Sequence, residues 1–141
     1  MNRILSLLLV LLLVAGCWAG SEDTSTARIQ WVPDLSEGLR QAKETGKPAM
    51  LFFTADWCAP CLELKKHVFS DKRVIETSSR LVNIYVDVDK NYDAIAAYKV
   101  RGIPAIFFST PGGEIVERII GGRPVARLVE QMTAIADKYT R

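Results

Sequence analysis

The stretch that decides the fold is Met50-Leu51-Phe52-Phe53-Thr54-Ala55-Asp56-Trp57-Cys58-Ala59-Pro60-Cys61, in which an apolar run passes through Thr54-Ala55-Asp56 to two cysteines. The run over 48–54 predicts a strand that is buried on both faces. Two cysteines separated by two residues at the start of a helix lie one turn apart on the same face, close enough for an unstrained disulfide. The pair can therefore switch reversibly between a dithiol and a disulfide.

The composition indicates one domain with a substantial core. The chain has 141 residues, 49% of them apolar, and a formal net charge of +2. This balance gives no reason to expect nucleic acid as a partner. Three cysteines are too few for a disulfide-stapled scaffold, so Cys58 and Cys61 indicate redox chemistry or metal binding. A structural zinc site needs four ligands, and only His67 and Cys17 remain besides acidic residues, so we expect no metal.

The first sixteen residues have the layout of a signal peptide. Arg3 supplies a positive charge, and an apolar run follows over 4–14. The weakly polar or apolar stretch is shorter than the ~20 residues that a membrane-spanning helix needs, so we do not expect it to be a permanent anchor. The mature chain is therefore expected outside the cytoplasm, in the periplasm or another extracytoplasmic location.

The residues Val14-Ala15-Gly16-Cys17 resemble the bacterial lipobox, which implies cleavage before Cys17 and attachment of lipid to its sulfur. The alternative is an ordinary signal peptide cleaved just after Ala19, which would discard Cys17. With Trp18 in the next position, the lipoprotein resemblance implies sorting to the outer membrane. We thus expect a lipoprotein-type signal peptide over 1–16, a flexible polar tether over 17–27 and a folded domain over 28–141.

Hydrophobic periodicity and turn residues predict the elements of the folded domain. The helices are expected from 35 to Gly46, from the cysteines to about Ser70, and over 72–78, 91–98 and 124 onward; the strands are expected at 29–32, 48–54, 81–88, 104–108 and 114–120. This order predicts an α/β fold whose mixed sheet has helices on both faces.

Two motifs together resemble the thioredoxin superfamily over about 28–139. They are Trp57-Cys58-Ala59-Pro60-Cys61 after a buried strand and Gly102-Ile103-Pro104 before a hairpin. The resemblance implies a thioredoxin fold, a central mixed β-sheet flanked by helices on both faces. Within the superfamily, the chain is most similar to the C-terminal domain of the DsbD family of thiol:disulfide interchange proteins, on the residues Ala55, Asp56, Trp57, Cys58, Cys61, Glu63, Lys66, Phe69, Ser70 and Asp71. Single-domain thioredoxin-like lipoproteins are a neighbouring resemblance.

The position of each cysteine predicts its role. Cys58, in the first turn, faces unpaired N–H groups and the positive end of the helix dipole, which stabilise a thiolate and make it the expected nucleophile. Cys61 lies a turn deeper and is expected to resolve the mixed disulfide. Pro60 is tolerated because the N–H that it lacks would be unbonded there. We expect Trp57 to pack beside the site and shield it.

The thioredoxin resemblance implies a further feature at Ile103 and Pro104. The bond between them would be cis and would face the cysteines, although Ile-Pro before a strand is by itself an ordinary strand start. The backbone of Ile103 could then pair with an extended substrate segment, which gives affinity with little sequence selectivity.

The chain departs from these relatives in the acidic residues around the cysteines. Thioredoxins and the DsbD domain generally carry a buried acid six residues before the first cysteine, where this chain has Phe52. The DsbD domain has another acid four residues after the second cysteine, where this chain has Lys65. A lysine stabilises a thiolate, so we expect a more acidic active-site thiol and a more oxidising pair than in those relatives. Glu63 is a candidate replacement for the missing acids.

The sequence as a whole predicts an exported thiol:disulfide oxidoreductase that needs no cofactor beyond its own disulfide. Its expected partners are proteins with disulfides or dithiols and an electron donor such as a DsbD-like transmembrane protein, since no further membrane-spanning segment is expected. Reduction of substrates is the first hypothesis, and oxidation or isomerisation by the same fold is the alternative. A redox-silent binding or chaperone module at the membrane is a third hypothesis, which requires dispensable cysteines.

Overall fold

The computed structural model describes residues 27–140, so the expected signal peptide, Cys17 and all of the tether but Ala27 lie outside the described residues. The described part contains five strands and five helices: β1 (Trp31–Val32), α1 (Leu35–Thr45), β2 (Ala49–Thr54), α2 (Ala59–His67), α3 (Lys72–Ser78), β3 (Val82–Asp87), α4 (Tyr92–Tyr98), β4 (Ala105–Ser109), β5 (Ile115–Ile120) and α5 (Val125–Tyr139). Over this range, none of the helices has the length and apolar character to cross a membrane.

The five strands form one mixed sheet in the order β1-β3-β2-β4-β5. The central strand β2 pairs in parallel with β3 and antiparallel with β4, and β5 completes a hairpin with β4. All six residues of β2 are buried, as its apolar sequence predicts. The structure therefore confirms the predicted α/β class and mixed sheet.

Alternation along β2 sends Phe52 and Phe53 to opposite faces of the sheet. On the face of Phe53, α1 packs directly against β3: a Cβ at Gly38 would lie 2.5 Å from the side chain of Ile84, so only glycine allows this approach. On the face of Phe52, Phe69 follows α2 and places its ring 4.9 Å from the Phe52 ring. Helices thus cover both faces, as predicted.

The start and end of α1 agree with the sequence. Asp34 caps the helix by accepting a hydrogen bond from the backbone N–H of Glu37 at 2.7 Å. Gly46 ends it with a φ of +66°, in the left-handed region that glycine adopts without strain. The helix therefore ends at the glycine that the sequence predicts, and Asp34 supplies the cap at its start.

Two predicted boundaries differ from the structure by more than one residue. The helix after the cysteines was expected to reach Ser70 but ends at His67, because the N–H groups of Val68 and Phe69 both bond to the carbonyl of Leu64. This shared acceptor tightens the last turn of the helix, and the Phe69 side chain then packs against Phe52 on one face of the sheet. The first strand was expected over 29–32 but comprises only Trp31–Val32.

Candidate active site

The two cysteines lie where the central strand leads into α2. After Thr54 the chain turns through three residues, and the N–H of Cys58 bonds to the carbonyl of Ala55 at 3.3 Å. Cys58 is the N-cap of α2, and its sulfur accepts a hydrogen bond from the N–H of Cys61 at 3.3 Å. Cys58 and Cys61 form a disulfide with their Cα atoms 5.2 Å apart. Pro60 stands in the first turn, as predicted.

The two sulfur-bearing residues differ in exposure. Cys58 is 4% exposed and Cys61 is 0% exposed. Because α2 begins at Cys58, the positive end of its dipole and its unpaired N–H groups lie at this residue. This order of exposure supports Cys58 as the nucleophile and Cys61 as the resolving thiol, which remain predictions.

Trp57 stands at the rim of the site, held by a polar contact. The residue is 69% exposed, and the indole N–H donates to a carboxylate oxygen of Asp89 at 2.8 Å. Asp89 lies in the loop after β3, which the parallel pairing of β2 and β3 brings to the same edge of the sheet. The indole is thus oriented by Asp89 and largely exposed to solvent, and its role in shielding the site stays a prediction.

The peptide bond between Ile103 and Pro104 is cis, as the resemblance implied. β4 begins at Ala105, which pairs with Phe53 near the end of β2, so the cis bond and the cysteine loop lie at one edge of the sheet. The carbonyl of Pro104 accepts a hydrogen bond from Gly121 at 2.8 Å. Over residues 27–140, the backbone N–H and C=O of Ile103 have no such partner.

The position of the missing buried acid is filled by an aromatic cluster. Phe52 is fully buried, and its ring centre lies 5.8 Å from that of Trp31, 4.9 Å from that of Phe69 and 5.9 Å from that of Tyr85. We call these four residues the Phe52 cluster. Its edge-to-face contacts stabilise apolar packing where a carboxylate would be desolvated.

Lys65 and Glu63 occupy opposite sides of α2. The Lys65 ammonium donates to the Tyr85 hydroxyl at 2.9 Å and lies 5.1 Å from the ring centre. Glu63 has a side chain that is 68% exposed, with a carboxylate oxygen 3.2 Å from a ring nitrogen of His67. The paired, solvent-facing carboxylate of Glu63 gives no support to a role beside the thiols.

The edge of the sheet also carries charges that sequence reasoning missed. Asp87, the last residue of β3, pairs in register with Thr54. Burial acts to raise the pKa of the Asp87 carboxyl, but hydrogen bonds from Lys90 and from the N–H of Asp89, with the charge of Lys65, hold it below its usual value. The sequence could have indicated this position of Asp87, because the carboxyl ends of adjacent parallel strands meet at one edge of the sheet.

A groove opens beside the cysteine loop, between α2 and the loop that precedes α5. It has a volume of about 690 Å³ and is lined by Ala59, Pro60, Leu64, Val68, Gly122 and Pro124, with Glu63, His67 and Arg123 bringing charge. Among residues 27–140, no group of three or more histidine, cysteine or acidic side chains is arranged to hold a metal ion. The open surface at the cysteines is therefore apolar with charged edges.

The family model described as a thioredoxin-like domain matches residues 35–136 of this chain. The chain belongs to the thioredoxin-like family. The solved structure of a thioredoxin from Thermus thermophilus superposes with a TM-score of 0.70 at 27% identity, and covers 79% of this chain and 89% of that one. The thioredoxin-like domain and its Cys58–Cys61 disulfide support thiol-disulfide oxidoreductase chemistry at the level of the family.

Curated relatives of this thioredoxin-like domain are named thiol:disulfide interchange protein DsbD. The one from Yersinia enterocolitica is 37% identical over an alignment of 145 positions, which covers 91% of this chain and 23% of that protein. The one from Vibrio vulnificus is 32% identical over 125 residues, 84% of this chain and 21% of that protein. The thioredoxin-like domain therefore spans only about a fifth of the length of these relatives.

Proposed function

We propose that this protein is an exported thiol:disulfide oxidoreductase that reduces disulfides of extracytoplasmic proteins. The observation that carries the proposal is the Cys58–Cys61 disulfide at the first turn of α2, with Cys58 the more exposed of the two. A cysteine at a helix N-terminus is stabilised as the thiolate, which is the nucleophile in disulfide exchange.

The proposed reaction begins with the reduced pair. The Cys58 thiolate attacks one sulfur of a substrate disulfide, and the other substrate sulfur leaves with the electron pair and takes a proton from water. Cys61 then loses its proton and attacks the Cys58 sulfur, so that the Cys58–Cys61 bond forms and the second substrate sulfur leaves. Two electrons pass from the dithiol to the substrate, and a donor must return the pair to its reduced state.

Two surfaces next to the cysteines suit an extended protein substrate. The free N–H and C=O of Ile103 at the cis bond offer main-chain pairing. The groove beside Ala59 and Pro60 offers apolar contact for side chains near the reacting disulfide. Neither feature selects a particular sequence, which fits a reductase with several protein substrates.

The location and the electron donor are proposed from the sequence and the relatives. Residues 1–16 would be a lipoprotein-type signal peptide, Cys17 would carry lipid, and 17–27 would tether the domain, over 28–141, to a membrane, the outer one by the lipobox resemblance. The relatives are named thiol:disulfide interchange proteins, and a DsbD-like transmembrane protein is the proposed donor.

Insulin reduction with a dithiol donor tests the proposed activity. Since Cys58 supplies the attacking sulfur, Cys58→Ser and the double variant Cys58→Ser, Cys61→Ser should lose at least about a thousandfold in rate. Cys61→Ser should instead accumulate the mixed disulfide, visible as an adduct by mass spectrometry. Full activity of the double variant, in insulin reduction or in substrate folding, would contradict the proposal and favour the redox-silent binding module.

A disulfide oxidase or isomerase is the second candidate, and a specific observation favours it. The Phe52 cluster and Lys65 replace the acids that would oppose a thiolate, which makes the pair more oxidising. The reduction potential measured against glutathione separates the two candidates. A value near that of thioredoxin, about −270 mV, supports the reductase, and a value near that of DsbA, about −120 mV, supports the oxidase.

A further inference from the structure

Lys65 lies on the buried side of α2, in line with the resolving cysteine. Residues four apart on a helix are neighbours on one face, so Lys65 follows Cys61 by one turn. Cys61 is fully buried and Lys65 is half-buried, whereas the adjacent Lys66 is exposed. Lys65 is thus the lysine of α2 that shares the inner face with Cys61.

Tyr85 fixes the position of the Lys65 ammonium. The register of β2 and β3 places Tyr85 beside Phe52, and its ring packs against Phe52 and Trp31 at 5.9 and 6.1 Å between centres. This ring belongs to a rigid strand, while a lysine side chain has four rotatable bonds. The 2.9 Å hydrogen bond to the Tyr85 hydroxyl therefore selects an inward conformation of the Lys65 side chain, which would otherwise compete with conformations that extend into solvent.

Of the three acids at this edge, Asp87 and Asp89 are engaged by other groups and Asp56 is exposed. The titratable groups from the neighbouring elements are Lys65 on α2, Tyr85 and Asp87 on β3, Asp56 in the loop before α2, and Asp89 and Lys90 in the loop after β3. Asp87 is paired with Lys90 at 3.1 Å, which keeps it a carboxylate and makes it a poor proton acceptor. Asp89 is engaged by the Trp57 indole.

We propose that Tyr85 is a positioning residue for disulfide exchange: its hydroxyl holds the Lys65 ammonium one turn from Cys61, where the ammonium stabilises the Cys61 thiolate in place of a carboxylate base. This inference rests on the proposed function. In the mixed disulfide, the Cys61 proton passes to water, and the thiolate attacks Cys58. The bond from Cys58 to the substrate breaks, and the substrate sulfur leaves with the electron pair.

The test isolates the resolving step with Ellman's reagent, 5,5′-dithiobis(2-nitrobenzoate). Attack by Cys58 releases one coloured nitrothiobenzoate, and attack by Cys61 releases a second, so stopped-flow absorbance separates the two phases. Tyr85→Phe keeps the ring and removes the hydroxyl. We expect the pH profile of the second phase to move upward by about half a unit to one unit, with a fall of about three- to tenfold in its rate at pH 7.

Four companion variants distinguish positioning from a general loss of structure. Lys65→Met should reproduce the shift, Tyr85→Phe added to Lys65→Met should produce no further change, and Lys65→Arg should retain most of the wild-type profile because the cation is kept. Lys66→Met, which removes an exposed neighbouring charge, should leave both phases unchanged. Circular dichroism and disulfide formation in each variant report whether the fold is intact.

The inference and the proposed function fail in different ways. If the second-phase profile of Tyr85→Phe coincides with that of the wild type, or if the effects of Tyr85→Phe and Lys65→Met simply add, Tyr85 does not act through Lys65 and the inference is overturned. The reductase proposal would survive both results. It fails if the cysteine variants keep their activity in insulin reduction or if the reduction potential lies near that of DsbA, whatever the Tyr85 profile shows.

Discussion

The two faces of the central strand carry similar packing but differ in what lies above them. On one face, the Phe52 cluster has the Lys65 ammonium 5.1 Å from the Tyr85 ring centre. On the other, Phe53 packs with Phe107 and Tyr98 at 5.0 and 5.8 Å between ring centres, and we call these three residues the Phe53 cluster. Arg118 lies 4.5 Å from the Phe107 ring centre, so each cluster has one cation over an aromatic ring.

The two faces of the sheet differ in the groups that lie next to each cation. Lys65 is one helical turn from Cys61 and bonds to a side-chain hydroxyl. Arg118 lies on β5, on the face away from α2, and donates to the backbone carbonyl of Tyr98. On the face of the Phe53 cluster the cation contacts only aromatic rings and backbone, whereas on the face of the Phe52 cluster we propose that it also stabilises a thiolate.

The largest effect is expected on the free energy of unfolding, when the rings of Phe52 and Phe53 are removed in turn. Phe52→Ala and Phe53→Ala each remove a fully buried ring, so each should lower the free energy of unfolding by about 3–5 kcal/mol. Only Phe52→Ala should also alter the reduction potential, because it loosens the packing that fixes Tyr85. Denaturant unfolding and glutathione equilibration measure the two quantities, and an equal change of potential in both variants would remove the distinction between the faces.

The next effect compares the two cations. Lys65→Met should make the reduction potential of the pair more negative by about 15–30 mV, because losing half a unit to one unit of thiolate stabilisation favours the disulfide. Arg118→Met should leave the potential unchanged and lower the free energy of unfolding by about 0.5–1 kcal/mol. A shift of potential in Arg118→Met as large as that in Lys65→Met would show that the effect is one of net charge.

The smallest expected effect concerns Asp87. A carboxyl whose pKa is lowered on folding contributes stability above its unfolded pKa of about 3.9, and that contribution is lost as the pH falls through the lower folded value. Asp87→Asn should therefore lower the melting temperature by about 2–4 °C from pH 5 to 8, with a difference that shrinks in more acid solution.

Lys90→Met is the matched variant for Asp87, since it removes the partner of the 3.1 Å ion pair. It should lower the melting temperature by a similar amount over the same pH range. In the double variant, the melting temperature should fall by less than the sum of the two single changes. A deficit in Asp87→Asn that persists unchanged at pH 2 would mean that the carboxylate charge is not its source.

The sequence predicts well those features that depend on neighbouring residues along the chain. The cysteine spacing, the buried strand, and the end of α1 at Gly46 follow from local rules, and the structure confirms them. The cis bond at Pro104 is confirmed too, although it came from a family resemblance and not from local chemistry.

The remaining features depend on which strands are neighbours. The contact of Lys65 with Tyr85 joins residues that are twenty positions apart, and it requires the β2–β3 register that pairs Phe52 with Tyr85. The sequence showed that acids were missing at Phe52 and Lys65 but could not show which side chains replaced them. For the same reason, the sequence did not predict the bond from Trp57 to Asp89, which joins residues thirty-two positions apart.

The central claim is that the site stabilises a thiolate because a lysine and an aromatic cluster replace the acids of related domains. The most direct test is an ultraviolet thiolate titration of the reduced protein beside the double variant Phe52→Asp, Lys65→Glu, which restores both acids. The account predicts a lower pKa for Cys58 in the wild type than in the variant. A wild-type pKa that equals or exceeds that of the variant would contradict it.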